Sequence, residues 1–403
     1  MIAPTPYFAD RGCHVQIYEQ IRALRKRGHA ITLCTYHIGR DMLGADTIRI
    51  PRVPWYRKLE AGPSWHKPYL DVLLFLVSLR AAWRVKPDVI HGHLHEGCAI
   101  GFLVGRILGI PLLFDYQGSL TGELQAHRFA RKTGAFAALL AWSERRINRL
   151  ADVVVTQTSD MVEKLRRDPG LPEVHLTYDG VNTEDFRPGV PDPALKRSLG
   201  IPDGKKVIAY LGILSGYQGV DDLVRAIPAV VGKRPDAFFL IMGYPGVQEY
   251  GALARSLGVE GDAMFTGRID YARAADHLHL ADVAVGPKHG ETEGDGKIYN
   301  YMACGLPMVV SDTRPHRELL ADGALYAPEG DPHALAEGIL TLLEDPARAV
   351  RVAAEARRRA VDIFSWDRVA ERLEKNYRLA AEVRARAKGL AWTPRSGSAR
   401  EAA

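Results

Sequence analysis

G-D-G-K-I-Y-N-Y-M-A-C-G-L-P, residues Gly294 to Pro307, leads straight into M-V-V, Met308 to Val310. Glycines open a short run with helical spacing, C-G-L-P ends it, and an apolar β-branched run follows. This is one loop–helix–strand unit of a parallel sheet. Working outward, Lys206–Leu211, Ala237–Met242, Ala263–Thr266, Asp282–Val285 and Ala324–Tyr326 are strand-like, and Asp221–Val231, Val247–Leu257, Lys297–Cys304 and Ala334–Leu343 fit helices. Upstream the rhythm has already run once. Strand-like Ile2–Ala3, Ala30–Tyr36, Thr47–Ile50, Asp88–His91, Leu112–Phe114 and Asp152–Thr156 alternate with helical Val15–Arg27, Tyr69–Trp83, Ala99–Leu108 and Phe136–Leu150.

Between the two series lies D-G-V-N-T-E-D-F-R-P-G-V-P-D-P, Asp179 to Pro193, whose Pro, Gly and Asp content marks a linker. The chain therefore predicts an α/β fold of two Rossmann-like, doubly wound domains facing each other across a cleft. Ligands are expected at the carboxyl ends of the strands. The first domain is expected over 1–186 and the second over 187–365. Residues 391–403, small and polar, are expected to form a tail.

Composition agrees. A chain of 403 residues, 47% hydrophobic and 25% charged, is that of a folded globular protein too long for one ordinary core. Cys13, Cys34, Cys98 and Cys304 are scattered without a C-x-x-C pair, which fits a reducing cytoplasm. The start lacks a basic and then apolar signal pattern. The longest apolar stretch, Cys98 to Phe114, is broken by Arg106 and Pro111, so no span is expected. Of the net charge of +5, all falls in Met1 to Asp185, with 24 basic and 19 acidic residues. A basic first half suits an anionic lipid or substrate, and equally a mildly basic solvated surface.

Backbone N–H groups at the start of the Lys297–Cys304 helix can face a phosphate, with the helix dipole favouring its charge. A cation in the first turn, Lys297, is poor for helix stability and useful to a diphosphate. The plain alternative is an ordinary connection with Lys297 in solvent. Other motifs fail. G-E-T-E-G-D-G-K-I has neither Walker spacing nor a Ser/Thr after its Lys, no G-x-G-x-x-G follows a strand, and G-I-L-S-G is no nucleophile elbow. No arginine-rich stripe or recognised module points to nucleic acid.

Y-M-A-C-G-L-P-M-V-V, Tyr301 to Val310, resembles the donor-binding signature of family 4 glycosyltransferases. R-G-C-H (Arg11 to His14), R-K-R-G-H-A-I-T-L (Arg25 to Leu33), K-P-D-V-I-H-G-H (Lys86 to His93), D-G-V-N-T-E-D-F-R-P (Asp179 to Pro188) and Y-L-G (Tyr210 to Gly212) extend the resemblance over nearly the whole chain. It implies a GT-B fold and a retaining enzyme. It also implies a nucleotide-sugar donor in the second domain, a hydroxyl acceptor in the first, and a closing F-S-W-D helix, 366–390, that completes the first domain. No D-x-D is present, so neither metal nor other cofactor is expected. Gly12, Gly212, Gln218, Lys288, Gly296 and Lys297 are expected around the diphosphate of such a donor.

Departures from the family pattern are concentrated at the donor site. The second of the family's two glutamates reads Asn300, and the first falls among Glu291, Thr292 and Glu293. Asn300 can still hydrogen-bond a hydroxyl, and with Glu293 is expected to hold the sugar nucleotide. The family's phosphate-binding Arg and Lys read Ile213 and Gln218. Losing two cations deprives a leaving diphosphate of stabilisation, which Lys297, with Lys288, would have to restore.

His91, His93 and His95 follow a strand at period two and would share a face if the strand continued. The sequence positions no carboxylate or fourth histidine with them, so zinc is not expected. His93 and His95 are candidates for the acceptor side, or structural histidines. Gln117, where the family often has a histidine, can orient a hydroxyl or phosphate but cannot act as a base. The catalytic expectation rests on Lys297, His93 and Gln117.

Val53 to Leu70 mixes aromatics and cations, and His127 to Trp142 is basic and then apolar. These stretches suit peripheral contact with the inner membrane face, or helices packed on their own sheet. A catalytically weakened relative, acting as partner subunit or nucleotide-sugar binder, is the competing expectation, fed by Ile213, Gln218, Asn300 and Gln117.

Overall fold

The computed structural model describes residues 1–9, 12–42, 44–59, 64–121, 134–290 and 294–389. The chain builds two parallel sheets, each from runs apolar enough to be buried on both faces. The first contains β1 (Ile2–Ala3), β2 (Thr32–Thr35), β3 (Asp46–Arg49), β4 (Ile90–His93), β5 (Leu112–Tyr116), β6 (Val153–Thr156) and β7 (Glu173–Leu176), in the order β3-β2-β1-β4-β5-β6-β7. The second contains β8 (Lys206–Leu211), β9 (Ala237–Met242), β10 (Ala263–Gly267), β11 (Val283–Gly286), β12 (Met308–Ser311) and β13 (Leu325–Ala327), in the order β10-β9-β8-β11-β12-β13. All pairs are parallel. Strand order reverses between β1 and β4 and between β8 and β11, and those two switch points are where crevices open.

In the first half the helices are α1 (Gly12–Lys26), α2 (Lys67–Val85), α3 (Leu94–Leu108), α4 (Ala135–Asn148) and α5 (Ser159–Arg166). The second half has α6 (Pro193–Ser198), α7 (Val220–Lys233), α8 (Val247–Ser256), α9 (Ala274–Leu278), α10 (Gly296–Cys304), α11 (Arg314–Leu320), α12 (Pro332–Glu344) and α13 (Pro346–Asp362), and α14 (Trp366–Ala387) closes the chain. Cores lie on both faces of each sheet. One face of the first sheet packs Leu112, Phe114 and Val154 against residues of α2 and α3.

The last helix returns to the first domain. Trp366, Val369, Ala370 and Leu373 of α14 pack on Ala23 and Leu24 of α1, and Ala380 packs on Leu113, Val153 and Val155. Arg27 grips Glu374 with two hydrogen bonds, at 2.7 and 2.9 Å. Where the chain crosses between domains, Val181 N–H donates to Phe364 at 2.9 Å and Trp366 N–H to Val181 at 3.1 Å. The two crossing segments thus form one joint. Among the described residues no helix is long and apolar enough to cross a membrane.

Candidate functional site at the facing switch points

At the β8/β11 switch point two loops interlock. Gly219, at φ +71°, brings its Cα so close to the loop after β11 that a Cβ would stand 1.8 Å from the Pro287 carbonyl oxygen. Only glycine tolerates both that conformation and that approach. His289 N–H donates to the Tyr217 carbonyl at 3.0 Å, and its ring pairs with Asp222 at 2.5 Å. The Lys288 ammonium donates to the Gly294 carbonyl at 3.0 Å and so braces the same loop.

From this loop α10 starts with its amino end against the first domain. A Cβ on Gly294 would lie 3.1 Å from the Gln157 amide oxygen, and one on Gly296 would lie 3.9 Å from Asp179 Oδ2. Asp295 takes the position before the helix without its side chain capping an N–H. Its carboxylate instead accepts from Lys297 Nζ at 2.6 Å and pairs with His316 at 3.3 Å. Lys297 Nζ also donates to Gln218 Oε1 at 2.7 Å and lies 5.4 Å from the Tyr210 ring centroid. Asn300 follows one turn on, half-buried. Gly212 lies beside the Lys297 stem, its Cβ position 3.5 Å from Lys297 Cδ.

Lys297 is 7% exposed and Asp295 8%. Burial opposes the charge on Asp295, but Lys297 beside it, with His316 and Lys288, outweighs burial and holds the carboxyl well below its usual range. Burial pulls the Lys297 ammonium down, and Asp295 offsets this only in part. Lys297 is therefore a buried, paired cation rather than a solvated one, and the alternative of a side chain in solvent does not hold. The cause is Asp295, two residues earlier and on the same side.

Across the cleft a second polar cluster forms on Asp115, at the carboxyl end of β5. Its Oδ2 accepts from Gln117 Nε2 at 2.9 Å and Gln16 Nε2 at 3.4 Å, and meets His93 Nδ1 at 3.0 Å. Gln157 Nε2 donates to Gln16 Oε1 at 2.9 Å and carries the network to Gly294. The crevice between domains is lined by Gln157, Tyr178, Gly294, Asp295, Tyr299 and His316. Asp179 stands beside it. Burial pushes its carboxyl up to about 7, against the Gly180 N–H that it accepts and with Asp115 adding to the rise.

The structure brings Lys297, Gln218, Gly212, Gly296 and Lys288 together, and separately brings His93 and Gln117 together. His95 joins neither group. The strand ends at His93, Leu94 turns through φ +63°, and His95 falls in α3 with its ring between Phe114 and Tyr116. Its acceptor-side expectation is corrected: it is a core histidine, 3.8 Å from Glu144. Gly12 opens α1 with free space around its Cβ position. Glu293 lies outside the described residues.

His91 and His93 stack, ring centroids 4.2 Å apart, and His91 Nδ1 meets the Tyr377 hydroxyl at 2.8 Å. With Asp115 they put ligand-type atoms within 4.8 Å of one another, a trio able to hold a metal ion. The carboxylate that the sequence does not place beside the histidines is thus present. Burial, and then His93, keep the His91 pKa low, so its imidazole is neutral. His93 Nδ1 meets Asp115 at 3.0 Å, while the Nε2 atoms of His91 and His93 are buried without a hydrogen-bond partner among the described residues. Sequence reasoning missed Asp115, Asp179 and Asp295. The signal available was position: an acid at a strand end, in the linker and before a helix.

Two Rossmann-like halves, with an anion-suited helix start at their facing switch points, define a GT-B glycosyltransferase scaffold. A Glycosyl transferase 4-like domain model matches residues 11–178, and a Glycosyl transferases group 1 model matches 191–359. The chain belongs to family 4 of the glycosyltransferases, as a divergent member. It is 27% identical over 395 residues to a D-inositol 3-phosphate glycosyltransferase of Thermobispora bispora, covering 92% of this chain and 90% of that protein. It is 29% identical over 249 residues to a GDP-mannose-dependent monoacylated alpha-(1-6)-phosphatidylinositol monomannoside mannosyltransferase of Corynebacterium glutamicum, covering 59% and 65%. Sucrose-phosphate synthase from Thermosynechococcus elongatus shares the fold, with TM-score 0.75 at 20% identity over 93% of this chain and 95% of that one.

Proposed function

We propose that this chain moves a glycosyl group from a nucleoside diphosphate sugar to a hydroxyl acceptor, with retention at the anomeric carbon and without a metal ion. One observation carries the reading: Lys297 Nζ stands 2.7 Å from Gln218 Oε1. Gln218 is where the family resemblance expects a phosphate-binding lysine. A cation from α10 thus reaches the place of one missing from the loop after β8.

When donor binds, phosphate oxygens would take over from Gln218 as partners of the Lys297 ammonium, with N–H groups at Gly296 and Lys297 completing the cradle. Asn300 and Glu293 would hold the sugar nucleotide. His93 and Gln117, both bonded to Asp115, would fix the acceptor side. Transfer passes through positive charge at the sugar carbon. Keeping the leaving diphosphate beside the incoming hydroxyl supplies both charge and position. Metal independence is supported by the missing D-x-D, and a cytoplasmic setting by four free cysteines. The lipid named in the mannosyltransferase relative supports a glycan or lipid-linked acceptor at the inner membrane face.

A second reading is favoured by the Lys297–Asp295 pair, closed at 2.6 Å and shielded from water. It makes the chain a non-catalytic partner subunit or nucleotide-sugar binder. A panel of UDP- and GDP-sugars, assayed with EDTA and with product configuration read by proton NMR, separates the two. Turnover insensitive to EDTA, with the donor's configuration kept, supports transfer. Tight binding without turnover supports the second reading, and an inverted product overturns retention.

A further inference from the structure

Helices α2, α3 and α4 pack side by side over one face of the first sheet, while α1 and α14 cover the other. Their outward sides are apolar where a solvated helix would be polar. Val72, Leu76 and Trp83 form one row on α2, Leu103 and Ile107 a second on α3, and Leu139 and Trp142 a third on α4, all exposed. Trp55 and Trp65, 70% and 81% exposed, extend the surface ahead of α2. Of the seventeen large hydrophobic side chains exposed among the described residues, twelve fall between Ile48 and Trp142, so the exposed apolar surface is concentrated in this domain.

Charge on the three helices is sorted by direction. Every acid points inward. Asp71 accepts from the Tyr36 hydroxyl at 2.6 Å, Glu96 from Lys67 at 2.5 Å, and Glu144 from Tyr116, Ser119 and the Thr121 N–H. Arg80, Arg84, Arg106, Arg145 and Arg146 are exposed. None of the five forms an ion pair with a described residue, and Arg146 lies over the Trp142 ring at 5.2 Å. The face is therefore apolar and purely cationic. A second copy would set five arginines against five, which opposes self-association. Tryptophans with arginines between apolar rows match the interface of an anionic bilayer.

We infer that the outer face of α2, α3 and α4 docks on an anionic lipid surface. The inference deepens the lipid-linked acceptor reading by naming the face that would bring the cleft to the lipid. It keeps Trp55 and Trp65 of Val53–Leu70 and Leu139 and Trp142 of His127–Trp142, and centres the contact on three helix faces; residues 127–133 lie outside the described residues.

Sedimentation of the full chain with vesicles of neutral phosphatidylcholine, or of phosphatidylcholine with about a third phosphatidylglycerol, tests it without donor or turnover. Failure of the transfer reading would leave the result untouched. Binding is expected on the anionic vesicles and should weaken with salt. Arg80→Gln/Arg84→Gln should lower partitioning about twenty-five-fold, each arginine being worth roughly a factor of five beside an anionic surface. Leu76→Ser/Trp83→Ser should lower it further on the same vesicles, with unfolding temperatures unchanged because these side chains are exposed. No binding to anionic vesicles, equal binding to both kinds, or binding that neither pair alters overturns the inference. So does a dimer, seen by sedimentation velocity, that the same variants dissolve.

Discussion

Replacing Lys297 tests chemistry and structure at once, and the two separate because the ion pair can be removed whole. In Lys297→Met, Asp295 keeps its burial and loses the partner 2.6 Å away, retaining His316 at 3.3 Å and the charge of Lys288. Stranding one charge of a buried pair costs about 3–5 kcal/mol, whereas replacing both partners by neutral groups is often close to neutral. Asp295→Asn/Lys297→Met should therefore regain most of the stability lost in the single variant, as read by urea denaturation.

Activity should behave differently. A donor aimed at developing charge contributes roughly 10²–10³ in turnover. Both variants lack the cation that faces Gln218, so both should lose about that factor in kcat/KM with the nucleotide sugar the panel identifies. Recovery of stability without recovery of rate is the expected signature. A double variant as stable and as fast as the parent would refute the assignment of Lys297 to the diphosphate. A single variant as stable as the parent would refute the reading of Lys297 and Asp295 as a buried, mutually compensating pair.

Gly219→Ala would place a Cβ 1.8 Å from the Pro287 carbonyl oxygen at φ +71°. A loss of more than about 2 kcal/mol, or a drop in nucleotide affinity as the loops part, is expected from thermal unfolding and calorimetry; no change in either contradicts the interlock. Burial pushes Asp71 and Asp179 each up to about 7, so the folded chain binds more protons than the unfolded one between about pH 4 and 7. Stability from these groups falls as pH rises through that window and is level above it. Asp71→Asn/Asp179→Asn should remove roughly 2–4 kcal/mol of that fall per group, and an unaltered slope between pH 5 and 8 would contradict it. Arg314 of α11 reaches Asp160 and Glu163 of α5 at 2.6 Å each, and Ser159 donates to Glu318 across the same gap. Arg314→Ala should widen the cleft, seen as a larger radius of gyration by small-angle scattering, and parent and variant should converge at high salt.

Much of the fold is legible because buried parallel strands are nearly continuous apolar runs. K-V-I-A-Y-L and A-F-F-L-I-M can be read to the residue, and β8 and β9 occupy those bounds. What escapes is short or at an edge. β7, E-V-H-L, is half-exposed and carries two polar residues, so it has no apolar run to find. The helices α5 and α11, eight and seven residues long, are too brief for a periodicity. Each is nevertheless announced by a threonine, Thr158 and Thr313, whose hydroxyl accepts the backbone N–H three residues on.

The site is legible only where its chemistry is local. Lys297 stands out because a cation in a first turn conflicts with the helix dipole. Its partner Gln218 lies 79 positions away in sequence, and nothing short of the fold joins them. The histidines show the limit of periodicity. Period two placed three on one face, but a single left-handed residue, Leu94, ended the strand and sent His95 into the core. The acid that organises the other two, Asp115, sits 22 residues beyond His93. A strand-terminal carboxylate next to a switch point is worth marking before any partner is known, because the sheet's topology, not the neighbouring sequence, decides what it meets.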